Sequence, residues 1–162
     1  MKRLPLLAIV LGVGGLIPFF GLAAALLLFG TMGPVPHLGL AMLGYGAVIL
    51  SFLGAVHWGL ALEAPAFVTV AGTGRLDRRR LVLGIVPALW AWAALYVGLT
   101  QHIWEGIVLV ILGLLGTLAV ERMAYRQGAL PAGYWLLRVV LTAGAVLSLV
   151  AALMVPLEAY RI

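Results

Sequence analysis

Cysteine is absent from this 162-residue chain, and charge is sparse, with only 9% of residues Asp, Glu, Lys or Arg. Without cysteine there is no disulfide, thiolate nucleophile, iron–sulfur cluster or cysteine-ligated zinc. The shortage of charge excludes an ordinary soluble domain, in which about a quarter of residues are charged. It also excludes a disordered chain and a nucleic-acid reader. What is present is apolar: 65% hydrophobic residues and a mean hydropathy of +1.20 mark a membrane protein. The net charge of +5 would suggest an acidic partner for a soluble protein, but here the basic residues are first tested against membrane topology.

A spanning helix needs about 20 mostly apolar residues. Five such stretches lie between charged or Pro/Gly-rich breaks, approximately Leu4–Gly30, His37–Leu62, Leu81–Thr100, Trp104–Val120 and Ala132–Pro156. The expected fold is all-α: a polytopic bundle of five transmembrane helices forming one membrane domain over residues 1–162. Met1-Lys2-Arg3 before an apolar run imitates a signal peptide, and Ala23-Ala24-Ala25 imitates its cleavage site. The run continues far beyond the roughly 7–15 residues of such a signal, so it reads as a retained first span. The turn with Pro34 and Pro36, the loop 63–80, Gln101-His102 and the stretch from Glu121 to Pro131 connect the spans.

Lys2, Arg3, Arg75, Arg78, Arg79, Arg80, Arg122 and Arg126 fall on one side of such a bundle, and Arg161 alone on the other. The positive-inside rule then predicts the N-terminus and the 63–80 loop in the cytoplasm and the C-terminus outside. Arg78-Arg79-Arg80 reads as a stop signal and phospholipid anchor. Gly15-Leu16-Ile17-Pro18 echoes Gly84-Ile85-Val86-Pro87, an echo too short to establish duplication.

Small residues allow membrane helices to approach closely. Gly44, Ala47, Ser51, Gly54, Ala55 and Ala61 share one face of the second span, which is therefore expected to be the central helix. Trp104 and Trp135 read as interfacial anchors, whereas at most one of Trp90 and Trp92 can face the bundle.

Polar groups at depth carry the functional lead, because an unsatisfied one costs several kcal/mol in hydrocarbon. Arg138 lies about 9 Å into the fifth span, sharing its face with Tyr134 and Thr142. His57 and Glu121 sit at comparable depth near the inner ends of the second and fourth spans. The expected ligand-binding or polar cluster is Ser51, His57, Trp58, Glu121, Tyr134 and Arg138. Glu63 is the alternative acid. Each member also has a structural reading: Arg138 as a snorkelling side chain, Glu121 as a helix-end charge and His57 as an interhelical hydrogen bonder.

Specific chemistries lack their parts. HExxH, GxSxG and a pair of embedded carboxylates are all missing, and His57 is at the opposite end from His37 and His102, which rules out simple bis-His haem ligation. His37 and His102 could meet at the outer edge over a metal or haem propionate. No cofactor or metal is expected from these patterns, and no catalytic residue is assigned.

Gly15-Leu16-Ile17-Pro18-Phe19, the block Ser51-Phe52-Leu53-Gly54-Ala55-Val56-His57-Trp58-Gly59, Pro87 with Trp90 or Trp92, and Tyr134-Trp135-Leu136-Leu137-Arg138 form one pattern. It resembles a domain-of-unknown-function family of bacterial and mitochondrial membrane proteins that includes transmembrane protein sixty-nine. The resemblance covers nearly the whole chain and implies a multi-pass inner-membrane protein, here of a bacterium, with His57-Trp58-Gly59 and Arg138 as signature. It implies no activity. The order Tyr134-Trp135 departs from the family's Trp-Tyr, so the roles of those two aromatics do not carry over. The expected function is non-enzymatic: an accessory, assembly or lipid-binding role, with membrane lipids and another membrane complex or a second copy as partners, and no nucleic acid. The alternatives are a small transporter or channel using His57, and an intramembrane lipid-headgroup enzyme with His57 as base and Arg138 as phosphate clamp.

Overall fold

The computed structural model describes residues 6–62, 73–126 and 132–161. Among them are six α-helices: α1 (Leu6–Gly14), α2 (Ile17–Phe29), α3 (Pro36–Leu62), α4 (Thr73–Thr100), α5 (Ile103–Arg126) and α6 (Ala132–Leu153). A one-turn 3₁₀ helix, Leu157–Tyr160, follows α6. The described residues contain no strand, and the helices pack as a bundle.

The first apolar run is one span built from two helices. Pro18 cannot donate to the carbonyl four residues earlier, and its ring crowds that turn, so proline is better placed at a helix start. It stands there in α2. The end of α1 tightens to compensate: Leu16 N–H donates to Val13 O at 2.9 Å, and Gly15 N–H is shared between Leu11 O and Gly12 O. The Tyr45 hydroxyl on α3 donates to Gly15 O at 2.8 Å, fixing the break against the central helix. The echoed proline, Pro87, stays inside α4 instead.

Among the described residues, four segments are long and apolar enough to cross a membrane: Ile9–Phe29, Pro36–Val56, Ile103–Arg126 and Gly133–Leu153. The apolar part of α4, Gly84–Thr100, is shorter, but α4 itself continues toward its N-terminus as far as Thr73. The segment expected as loop over 63–80 is thus helical from Thr73 onward. Charge ends an apolar run without ending a helix, because Arg and Leu are both good helix formers.

Helix α3 packs against α2, α4, α5 and α6, and 44% of its span is buried, against 17–33% for the other three long spans. It is the central helix, although only part of the expected small-residue face makes the contacts. Ala47 and Gly54 are buried, whereas Ala55 is exposed and a side chain at Gly44 would meet open space; the Ala61 side chain lies outside the described residues. A Cβ on Gly54 would overlap Gly84 O of α4, so glycine sets the α3–α4 distance. At the α4–α5 crossing, a Cβ on Gly106 would lie 2.7 Å from Ala94 O and 2.9 Å from Gly98 Cα.

Phe19, Leu26, Met42, Leu43, Leu50, Ile107 and Leu149 fill the bundle, while Leu28, Val48, Phe52, Leu89, Trp92 and Leu147 are exposed. Helices apolar on both their buried and their exposed faces are what a bundle in lipid requires. The far end is closed by the C-terminal turn, which the sequence pattern did not predict. Val35 N–H donates to Ala159 O at 2.9 Å, and the buried Tyr160 hydroxyl donates to Ala152 O at 2.5 Å.

Candidate functional site

Among the described residues, three of the four buried polar ones, Glu121, Arg138 and Thr142, gather near the end of α5 and the first half of α6, while Ser148 donates to Gly144 O within α6. Arg138 Nε lies 2.7 Å from Glu121 Oε2, an ion pair between α6 and α5 with 6% and 1% of the two residues exposed. One turn farther along α6, Thr142 Oγ1 accepts from Arg138 Nη1 at 3.2 Å. Tyr134, one turn before Arg138, is half-buried and lies in the field of both charges, with its hydroxyl beside the guanidinium. The i,i+4 spacing of residues 134, 138 and 142 places all three on one face.

The Arg138–Glu121 contact is close but poorly aligned for a hydrogen bond. Among the described residues, both Glu121 oxygens and the Nε and Nη2 of Arg138 have no hydrogen-bond partner. Buried polar groups in proteins are nearly always hydrogen-bonded, so these unpartnered atoms single the ion pair out within the described interior. The pair adjoins a cavity of about 140 Å³ beneath the α1–α2 break. Arg138 and Thr142 line it, and the rest of its wall is apolar, including Leu16, Phe19, Leu53 and Leu114. Exposed Leu11 and Phe52 also line it, which brings it to the lipid-facing surface.

Three expected members, Glu121, Tyr134 and Arg138, therefore come together. Ser51 turns elsewhere: its hydroxyl donates to Ala47 O at 2.9 Å, within its own helix. The side chains of His57 and Trp58, and the alternative acid Glu63, lie outside the described residues. Thr142, which sequence reasoning placed on the Arg138 face but outside the cluster, is a direct partner. Its signal was the i,i+4 spacing.

The aromatic and outer residues resolve separately. Trp90 Nε1 donates to Leu109 O at 2.7 Å and so turns toward α5, while exposed Trp92 stacks on Tyr96. Trp135 stacks on Tyr125 with ring centroids 5.4 Å apart, joining α6 to α5 beside Tyr134. At the far end, exposed His102 pairs with Glu105 at 3.2 Å, and His37 is also exposed. Among the described residues, no three His, Asp or Glu side chains come together as a metal site.

The family described as "Protein of unknown function (DUF3429)" matches residues 4–154. The chain belongs to the DUF3429 family. Transmembrane protein 69 of Xenopus tropicalis is 39% identical over 155 residues, covering 94% of this chain and 56% of that protein. Transmembrane protein 69 of Mus musculus is 32% identical over 148 residues, covering 90% of this chain and 55% of that protein. The chain thus spans little more than half the length of these curated relatives. No solved structure matches it. In this DUF3429 member the match runs through all six described α-helices, which are those of a multi-pass membrane protein.

Proposed function

We propose that this membrane protein has an accessory, lipid-binding role, served by the polar site around Arg138 and Glu121. The observation that carries the reading is a buried ion pair with unfilled hydrogen-bonding positions beside a cavity that reaches the lipid-facing surface. A resident lipid would fill those positions at little cost, since the charges already neutralise one another. In this reading the site lies in the cytoplasmic leaflet of a bacterial inner membrane, with the N-terminus inside and the C-terminus outside, as the distribution of Lys and Arg favours. Partners are membrane lipids and either a second membrane complex or another copy of the chain.

A transporter or channel is less well supported, because the path from Arg138 to the far end runs through Phe19, Leu26, Leu43, Leu50 and Leu149, all buried and apolar. A solute pathway needs polar or wet lining there. An enzyme acting on headgroups would need an activated nucleophile or base at Arg138; the carboxylate of Glu121 is engaged in the ion pair, and the Thr142 hydroxyl accepts from the guanidinium with no general base beside it among the described residues.

Purification from native membranes in mild detergent, followed by identification of retained lipids and proteins, tests the proposal. The expected result is a retained lipid, with or without a partner protein. A monodisperse protein carrying neither contradicts it.

A further inference from the structure

The cavity beside Arg138 also restricts the chemistry of what it can hold. The inference rests on the lipid-binding reading just given and concerns which lipid. Arg138 and Glu121 form a pair of zero net charge, buried to 6% and 1% exposure. A third, anionic group brought against a neutralised pair would be desolvated without a free counter-charge, and burying an uncompensated charge is strongly unfavourable. Among the described residues, the rest of the cavity wall is apolar and supplies no second cation to meet a phosphate.

What the cavity does offer is donors. Arg138 Nη2 has no hydrogen-bond partner among the described residues. Thr142 Oγ1 uses a lone pair to accept from Arg138 Nη1, which leaves its own O–H to donate. Both side chains line the cavity. An uncharged oxygen acceptor satisfies such a site, and a charged head does not.

Size narrows the class further. The cavity measures about 140 Å³, close to the roughly 150 Å³ engineered apolar cavity that accommodates benzene. It takes a group the size of a six-membered ring, or one short ester-bearing end of a chain. The remainder of the molecule would leave past exposed Leu11 and Phe52 into the surrounding lipid. Gly12 and Gly15, at the α1–α2 break, keep that side of the cavity free of side-chain bulk.

We propose that this cavity binds the uncharged, carbonyl-bearing head of a neutral lipid, through hydrogen bonds from Arg138 and Thr142. Two sources share that chemistry, a glyceride ester and a quinone, and the experiment separates them. The full-length protein in detergent is titrated with dioctanoylglycerol, with a short-chain ubiquinone, with dioctanoyl phosphatidate and with decane, and binding is followed by calorimetry. The expected result is saturable binding of the glycerol ester or the quinone, whichever is the native type, and none of decane or phosphatidate.

Thr142→Val keeps the shape and removes one donor, so affinity for the bound neutral lipid should fall about three- to tenfold, the value of one hydrogen bond. Ala145→Val, at an apolar position in the wall, narrows the cavity and should weaken the ring-bearing ligand without touching a polar group. Tighter binding of phosphatidate than of either neutral lipid would overturn the neutral-head inference while leaving a lipid-binding role intact. Equal binding of decane would remove the hydrogen-bonding argument. Failure of every ligand, in a protein that also retains no lipid on purification, would overturn both readings. Should Thr142→Val not fold, Thr142→Ser, which retains the donor, must bind as the parent does, and loss of binding there contradicts the assignment.

Discussion

Arg138 on α6 and Glu121 on α5 neutralise each other inside the bundle, with Nε and Oε2 2.7 Å apart. Neither charge snorkels out, and neither is an ordinary helix-end charge. Their proximity ties the two helices together just where the 127–131 connection joins them in sequence.

Removal of one partner strands the other charge in an apolar interior. Arg138→Met or Glu121→Met alone should therefore destabilise the protein by about 3–5 kcal/mol, and the double substitution should recover most of that loss. Chemical unfolding in detergent micelles measures all three. Simple addition of the single losses in the double variant would show that the two residues are not coupled.

The two glycines of the predicted α3 face, Gly44 and Gly54, separate packing from propensity. Gly54→Ala drives a methyl group into Gly84 O and should destabilise the α3–α4 contact. Gly44→Ala meets open space and should be neutral or stabilising by about 0.5–1 kcal/mol, since alanine is the better helix former. Thermal unfolding should come at a lower temperature for Gly54→Ala and at the same or a higher one for Gly44→Ala, and a common loss would contradict the geometry.

Tyr160 lies beyond the last span, and burial pushes its phenol up to about 12 from an ordinary value near 10. The folded state thus favours the neutral phenol that donates to Ala152 O. Its contribution to holding the C-terminal turn is complete below about pH 10 and is lost as pH rises through about 12. An ultraviolet titration of phenolate should contain a late step that Tyr160→Phe removes. A complete titration near pH 10 in the parent protein would contradict the burial.

Because the chain has no cysteine, single introduced thiols report topology cleanly. In the proposed orientation, a cysteine replacing exposed Met154, directly after α6, should react with a membrane-impermeant maleimide applied to intact cells. One replacing exposed Arg126, at the end of α5, should react only after the membrane is opened. The reverse pattern would invert the proposed orientation.

The spans were legible because length and hydropathy are imposed directly by the bilayer, and the pairing of Arg138 with Glu121 because both charges lie at one depth. Three features were hidden for separate physical reasons. The arginines before Leu81 end hydrophobicity but not helix, so the start of α4 at Thr73 left no mark in the apolar pattern. Gly-Leu-Ile-Pro and Gly-Ile-Val-Pro read alike, yet Pro18 starts a new helix and Pro87 stays inside one. Only the tertiary environment distinguishes them, since Tyr45 reaches Gly15 O at the first and Gly54 abuts Gly84 at the second. Ser51 fits the polar-cluster pattern by type and helix, but a serine hydroxyl is easily satisfied by the carbonyl one turn earlier, and Ala47 O takes it.

If the Arg138–Glu121 pair forms a lipid site, protein taken from native membranes carries bound lipid there. Native mass spectrometry compares the parent with Arg138→Met/Glu121→Met, the variant in which packing is kept and charge removed. A stoichiometric lipid adduct is expected on the parent and should be lost from the double variant; the same adduct on both proteins, or none on the parent, rules out a lipid site at this pair.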